Sequence, residues 1–202
     1  HQALDVVDTF EPVTKWNAQL NDSDIVHESV RKAFKLAEYE KPGATHLELP
    51  EDVAGEGATV EPLPARDRIR FAAPDAETLD RVKELLGEAE RPLIVTGNGA
   101  VRTHAAGPLR DLVETTDMPT VSTYMGKGAV SDDNPHSLMT LDSGAHGEAT
   151  EAMAEADLLL TVGYDIAEHD PDEWGHEDAT IVHVDSEPAE VYEAYNPDVE
   201  VI

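Results

Sequence analysis

The chain has 202 residues, no cysteine, and 43 Asp and Glu against 14 Lys and Arg, a formal net charge of -29. No disulfide framework and no thiol nucleophile is possible, and nucleic acid is not an expected partner because no basic stripe exists. No apolar run reaches membrane-spanning length and no signal peptide is present, so no membrane partner and a cytoplasmic location are expected. The acids are spread along the whole chain, which reads as a solvated surface adapted to high salt, where self-repulsion is screened (Debye length about 3 Å at 1 M). The length suits one good-sized domain with an appended piece, and a start at His1 rather than Met suggests a fragment or a processed chain.

Residues 1–19 read as irregular, with a strand-like piece around Pro12-Val13-Thr14-Lys15-Trp16. Asn21 to Asp24 supply N-cap candidates, and Ile25, Val26, Val30, Ala33, Phe34 and Ala37 fall at helical spacing up to about Tyr39. Lys41-Pro42-Gly43 stops that helix, and Thr45 to Leu49 alternates as a strand. Residues 53–74, rich in Gly, Pro and charge, read as a linker between a first segment, 1–52, and a second body, 75–202. A helix carrying Leu79, Val82, Leu85 and Leu86 opens that body.

An α/β alternation follows. Strands are predicted at Pro92–Thr96, Pro119–Tyr124, Asp157–Val162, Thr180–Asp185 and Val199–Ile202. Helices are predicted near Thr103–Glu114, His146–Glu155 and Pro188–Tyr195. Apolar strands alternating with helices predict a doubly wound parallel sheet, Rossmann-like, with both faces covered and right-handed crossovers.

The glycines sit where such a sheet binds ligands. Gly97-Asn98-Gly99 follows the first strand, where backbone N–H groups can face an anion. The dinucleotide fingerprint is incomplete, because Arg102 replaces its third glycine and no acid closes the next strand; a tight turn is an equal reading. Met125-Gly126, Ser143-Gly144-Ala145-His146-Gly147 and Gly163-Tyr164-Asp165 belong to loops expected along the same sheet edge, where they could floor a pocket. The run His169 to Asp178 is rich in potential metal ligands but lacks any ligand spacing, so it reads as a solvated acidic loop anchored by Trp174, with no metal. His183 reads as a packed strand histidine.

Several segments resemble successive landmarks of acetolactate synthase: His1-Gln2-Ala3-Leu4-Asp5, Phe10 to Lys15, Leu49-Pro50-Glu51-Asp52-Val53 and Leu160 to Asp165. His169 to Trp174 and Ala194 to Asp198, with Gly163-Tyr164-Asp165, look most like the catabolic, flavin-independent branch. The resemblance implies a thiamine-diphosphate enzyme of three α/β domains, of which this chain would hold the C-terminal part of the pyrimidine-binding domain (1–52), a linker and the flavin- or nucleotide-binding-like central domain (75–202). It implies decarboxylation of pyruvate and carboligation to a second 2-oxo acid by a homodimeric or homotetrameric parent using thiamine diphosphate and magnesium.

The catalytic glutamate and the magnesium motif of that family are not in this sequence, so the chain alone is expected to be inert. By the resemblance, Gln2 and His1 would lie near the reacting carbon and hydrogen-bond its carbonyl. Gly97, Asn98, Gly99, Met125, Gly126, His146, Gly147 and Gly163 would line the cofactor-facing edge of the central domain. FAD is not expected to bind tightly, because Lys41, Glu51 and Asp165 stand where the flavin-dependent branch carries arginine, lysine and arginine. Rival readings are a non-catalytic nucleotide-binding or scaffold domain and a related decarboxylase holding an adenine nucleotide here.

Overall fold

The computed structural model describes residues 4–64, 72–141, 147–176 and 178–202. His1, Gln2 and His146 therefore lie outside the described residues. The chain divides into two compact units, His1–Phe71 and Ala72–Ile202.

In the first unit, α1 (Val6–Phe10) is capped by the Asp5 carboxylate and runs into a single 3₁₀ turn, Glu11–Val13. Strand β1 (Trp16–Gln19), helix α2 (Val26–Glu38) and strand β2 (Thr45–Glu48) form one crossover, with β1 and β2 paired in parallel from Trp16 opposite Thr45 to Gln19 opposite Glu48. The strand expected at Pro12–Trp16 thus starts only at Trp16. Pro12 lies in the first turn of the 3₁₀ helix, where it donates no N–H and its fixed φ fits. The short helix α3 (Glu51–Ala54) follows.

Lys15 Nζ donates to the carbonyls of Tyr39 and Lys41, each at 2.6 Å, setting a cation where the last turn of α2 leaves carbonyls without helical partners. The loop past α3 is tied back to the start of α2: Asp24 accepts both the backbone N–H and the hydroxyl of Thr59, each at 2.7 Å.

The second unit is a six-stranded sheet in which every pairing is parallel. Its strands are β3 (Pro92–Thr96), β4 (Thr120–Ser122), β5 (Ser137–Thr140), β6 (Leu158–Val162), β7 (Thr180–Val184) and β8 (Val199–Val201). Their spatial order is β5-β4-β3-β6-β7-β8. The chain starts in the middle, winds outward one way, returns and winds outward the other way. The order reverses between β3 and β6, which is the switch point of a doubly wound fold.

Alternation along the strands separates two cores. Ile94, Leu158, Leu160 and Val182 face one side, where they meet α4 (Ala76–Glu88) through Val82, Leu85 and Leu86 and α6 (Ala106–Thr116) through Leu109 and Val113. Leu93, Val95, Val121, Leu159 and Ile181 face the other, against Ala149 and Met153 of α7 (Glu148–Glu155). Asp75 caps α4 by accepting Thr78 N–H at 2.8 Å.

Two expectations need correction, and one strand was not foreseen. The helix expected at Thr103–Glu114 forms as α6, starting only at Ala106, and is preceded by a separate short helix, α5 (Asn98–Arg102), with His104 at φ 61 between the two. A strand for which no expectation was stated, β5, forms the sheet edge from only four residues of mixed polarity. No helix forms at Pro188–Tyr195; the chain there is irregular and closes a tight turn through a small bridge between Tyr192 and Tyr195. Pro197 disfavours helix at Asn196, and the turn brings the Tyr195 ring to the sheet face, where it is 2% exposed. On that face, among the described residues, the links from β6 to β7 and from β7 to β8 carry no α-helix. Tyr164, Trp174 and Tyr195 cover the strands instead, with ring centroids 4.8 to 5.9 Å apart.

Candidate functional site

The chemically distinct place in the second unit is the crevice at the C-terminal ends of β3, β4 and β6. Backbone hydrogen bonds join its three loops. Gly97 N–H donates to Val162 O at 2.9 Å, Gly99 N–H to Gly163 O at 2.8 Å, and Thr123 N–H to Thr96 O at 2.9 Å. The glycines are needed because these backbones touch. A Cβ on Gly97 would stand 2.3 Å from Gly163 O, one on Gly126 2.1 Å from Thr96 O, and one on Gly163 2.1 Å from Ala100 N. Gly163 also holds φ +64, a left-handed conformation that a side chain would strain.

One side chain spans the crevice. Glu168, on the loop after β6, accepts the backbone N–H of Asn98 at 3.0 and 2.9 Å through its two oxygens, and the hydroxyl of Thr123 at 2.5 Å. Thr123 Oγ1 in turn accepts Gly126 N–H at 2.9 Å. Burial pushes the Glu168 carboxyl above the usual glutamate range, opposed by the Thr123 hydroxyl and Asn98 N–H; the nearby Asp165 charge raises it further. A carboxylate thus occupies the N–H where α5 begins, at the position a doubly wound sheet offers to an anion.

Of the residues singled out in the sequence, Gly97, Asn98, Gly99, Gly126 and Gly163 meet at this crevice. Met125 projects from its rim, 57% exposed. Gly147 begins α7, and nothing lies within 4 Å of where its Cβ would be. Glu168 and Thr123 escaped the sequence reading. Among 43 acids one more carries no signal. The available cue was topological: the loop after the fourth strand of the sheet must face the loop after the first.

The acidic run after Gly163 is a packed scaffold. Tyr164 OH donates to His169 O at 2.6 Å, and Trp174 Nε1 donates to His169 Nδ1 at 3.1 Å. That indole donor fixes Nδ1 as an acceptor and puts the ring proton on Nε2, 3.8 Å from Glu173. Trp174 is 1% exposed, the anchor expected, and His183 is packed in β7 at 2%. Among the described residues no group of His, Cys, Asp or Glu could hold a metal ion. Within the first unit, a groove of about 540 Å³ runs between α2 and the segment after α3, lined by Val26, Val30, Phe34, Val60 and Leu63.

An all-parallel sheet that reverses order at its middle, with glycine turns at the reversal, defines a doubly wound, Rossmann-like α/β domain. The chain belongs to the family described as thiamine pyrophosphate enzyme, central domain, whose model matches residues 79–202. It is similar to acetolactate synthase of Bacillus subtilis (31% identical, over 100% of this chain and 36% of that protein). It is also similar to the catabolic acetolactate synthase of Raoultella terrigena (30%, over 100% and 36%). A solved thiamin diphosphate-dependent enzyme from Mycobacterium smegmatis shares the fold, with TM-score 0.74 at 22% identity over 89% of this chain and 35% of that one. The chain spans about a third of the length of these relatives.

Proposed function

We propose that this chain is the middle of a catabolic-type acetolactate synthase, which decarboxylates pyruvate and joins the remaining two-carbon unit to a second 2-oxo acid. The observation that carries the reading is the family match of the second unit, continued through the first unit by similarity to two synthases over the whole chain. We assign residues 1–52 to the end of the pyrimidine-binding domain, 53–74 to a linker and 75–202 to the central domain. The first unit supports this assignment. Its sheet has two parallel strands, neither fully buried, whereas parallel sheets are normally covered on both faces.

Thiamine diphosphate, when bound, supplies a stabilised carbanion for both the decarboxylation and the ligation. The described residues do not fit that group. Among them no acid or histidine cluster could take magnesium, and backbone fills the space beside the crevice glycines. The reading therefore places the cofactor's ligands in other parts of the parent, and no step is drawn through this chain's described residues. Gln2, and His1 beside it, are assigned to hydrogen-bonding the substrate carbonyl as charge builds there. Gly97, Asn98, Gly99, Met125, Gly126, His146, Gly147 and Gly163 are assigned to the central-domain edge that faces a cofactor in such enzymes.

The parent is assigned as a cytoplasmic, salt-adapted homodimer or homotetramer. In support, no helix among the described residues is long and apolar enough to cross a membrane. The test is the full-length parent with pyruvate, thiamine diphosphate and magnesium. Acetolactate that depends on all three supports the reading, and Gln2→Ala in that parent should lower kcat about 10- to 1000-fold. Pyruvate left unchanged by the folded parent contradicts it.

A further inference from the structure

We propose that His169 is a proton-operated latch: neutral, it accepts the Trp174 indole and holds the aromatic layer closed over the sheet; protonated, it donates to the Asp170 carbonyl and releases Trp174. The inference stands on geometry within the second unit and does not depend on what the parent catalyses.

One ring nitrogen has two exclusive partners. His169 Nδ1 lies 3.1 Å from Trp174 Nε1 and 3.2 Å from Asp170 O. An indole nitrogen can only donate and a backbone carbonyl can only accept. Nδ1 therefore meets the indole while it is bare and the carbonyl once it carries a proton. The other nitrogen, Nε2, is buried with no hydrogen-bond partner among the described residues, and the Glu173 carboxylate lies 3.8 Å from it. Glu173 is half exposed, so its side chain can close that gap when the ring gains charge.

The surroundings supply no rival cation. From Ala129 to Ile202 the sequence holds no lysine or arginine, so histidine is the only side chain there that can become positive. On its own loop His169 has Asp165, Glu168, Asp170, Asp172 and Glu173. From the end of β6, the Tyr164 hydroxyl donates to His169 O at 2.6 Å. From the segment after the loop, His176 and Tyr195 pack on the Trp174 ring, and the Tyr192 hydroxyl faces Asp172. From α7, Ala149 and Met153 join the same core, and neither titrates.

Release moves more than one hydrogen bond. Trp174 is 1% exposed, so its displaced N–H must reach water or another acceptor by moving the ring. That ring packs on Tyr164 and Tyr195, with centroids 4.8 and 5.9 Å away, so the layer over the sheet loosens with it.

The experiment uses the 202-residue chain carrying Trp16→Phe, which leaves Trp174 as the single indole, in molar salt. Trp174 emission and exchange of its indole proton are followed from about pH 8 to about pH 5, the range in which histidine ordinarily changes charge. A single-proton step should carry the emission to longer wavelength. At the acid end the indole proton should exchange at least about tenfold faster than in His169→Gln at the same pH. His169→Gln keeps an acceptor for the indole but cannot charge, and should show no step. Glu173→Gln should move the step to lower pH, because the carboxylate it removes favours the charged ring. His176→Gln removes the other imidazole beside Trp174 and should leave the step in place.

Emission that stays level over the whole range in the folded chain overturns the proposal. So does a step that survives in His169→Gln or vanishes in His176→Gln. A step that coincides with loss of far-ultraviolet circular dichroism is unfolding and also overturns it. If His169→Gln does not fold, Glu173→Gln decides, and an unmoved midpoint counts against the latch.

Discussion

The hydroxyl of Tyr195 lies 2.6 Å from Thr161 Oγ1 and 2.8 Å from His183 Nδ1, deep against the sheet. His183 Nε2 faces Glu187 O at 3.3 Å, which makes Nε2 the donor and Nδ1 the acceptor of the tyrosine proton. A histidine, a tyrosine and a threonine thereby meet one another inside the aromatic layer that replaces crossover helices. Burial holds the Tyr195 phenol well above its ordinary range, so it stays a donor at all working pH. Tyr195→Phe should cost about 1–3 kcal/mol, because it removes the hydroxyl that bridges the buried Thr161 and His183. Denaturant unfolding checks this; a loss below about 0.5 kcal/mol would show that the network is not a stabilising contact.

The crevice glycines differ in what they tolerate. Gly163→Ala places a methyl 2.1 Å from Ala100 N at φ +64, and should destabilise by about 2 kcal/mol or more. Gly147→Ala places one in open space at φ -127, and should stay within about 1 kcal/mol of wild type. Thermal melts of the two variants side by side separate close backbone packing from ordinary turn-making.

Acid stability carries two opposing contributions. At Asp157 burial raises the carboxyl, but the backbone N–H groups of Glu90 and Arg91, at 2.7 and 2.9 Å, outweigh it and hold the group below its ordinary value. Stability from Asp157 is present above the ordinary aspartate range and is lost as pH falls through its lowered folded-state value. Glu168 has the reverse sign. Its folded-state value is raised, so the folded chain binds more protons than the unfolded one, and its contribution declines as pH rises from the ordinary glutamate range through that value. The stability of wild type minus that of Glu168→Gln should therefore shrink as pH rises through this window. Urea midpoints at several pH values read the trend, and a difference that grows with pH would reverse the assignment.

The net charge of -29 should make dilute buffer a poor solvent for the folded chain. The melting temperature is expected to rise between low salt and molar salt, as the screening length falls to about 3 Å. A melting temperature that stays level or falls over that range removes the case for salt adaptation.

Five of the six strands of the second unit were legible, most plainly β3 and β6, because parallel strands buried on both faces are short continuous apolar runs, as in Leu93-Ile94-Val95 and Leu158-Leu159-Leu160. The edge strand Ser137–Thr140 was not, because an edge needs less apolar surface and its pattern is mixed. The false helix at Pro188–Tyr195 shows the limit of local propensity: burying the Tyr195 ring and satisfying its hydroxyl outweighed a sequence that could otherwise have turned helical. The crevice glycines were visible as motifs. What fills the crevice was not, because Asn98, Thr123 and Glu168 meet only through the strand order.

The central claim is that this chain is the middle of a thiamine-dependent carboligase, and carbon balance in the full-length parent tests it most directly. Fed pyruvate with thiamine diphosphate and magnesium, the parent should release one carbon dioxide for each acetolactate formed, since ligation consumes every two-carbon unit that decarboxylation leaves. Carbon dioxide matched instead by free acetaldehyde, or no turnover of pyruvate by the folded parent, would contradict the claim.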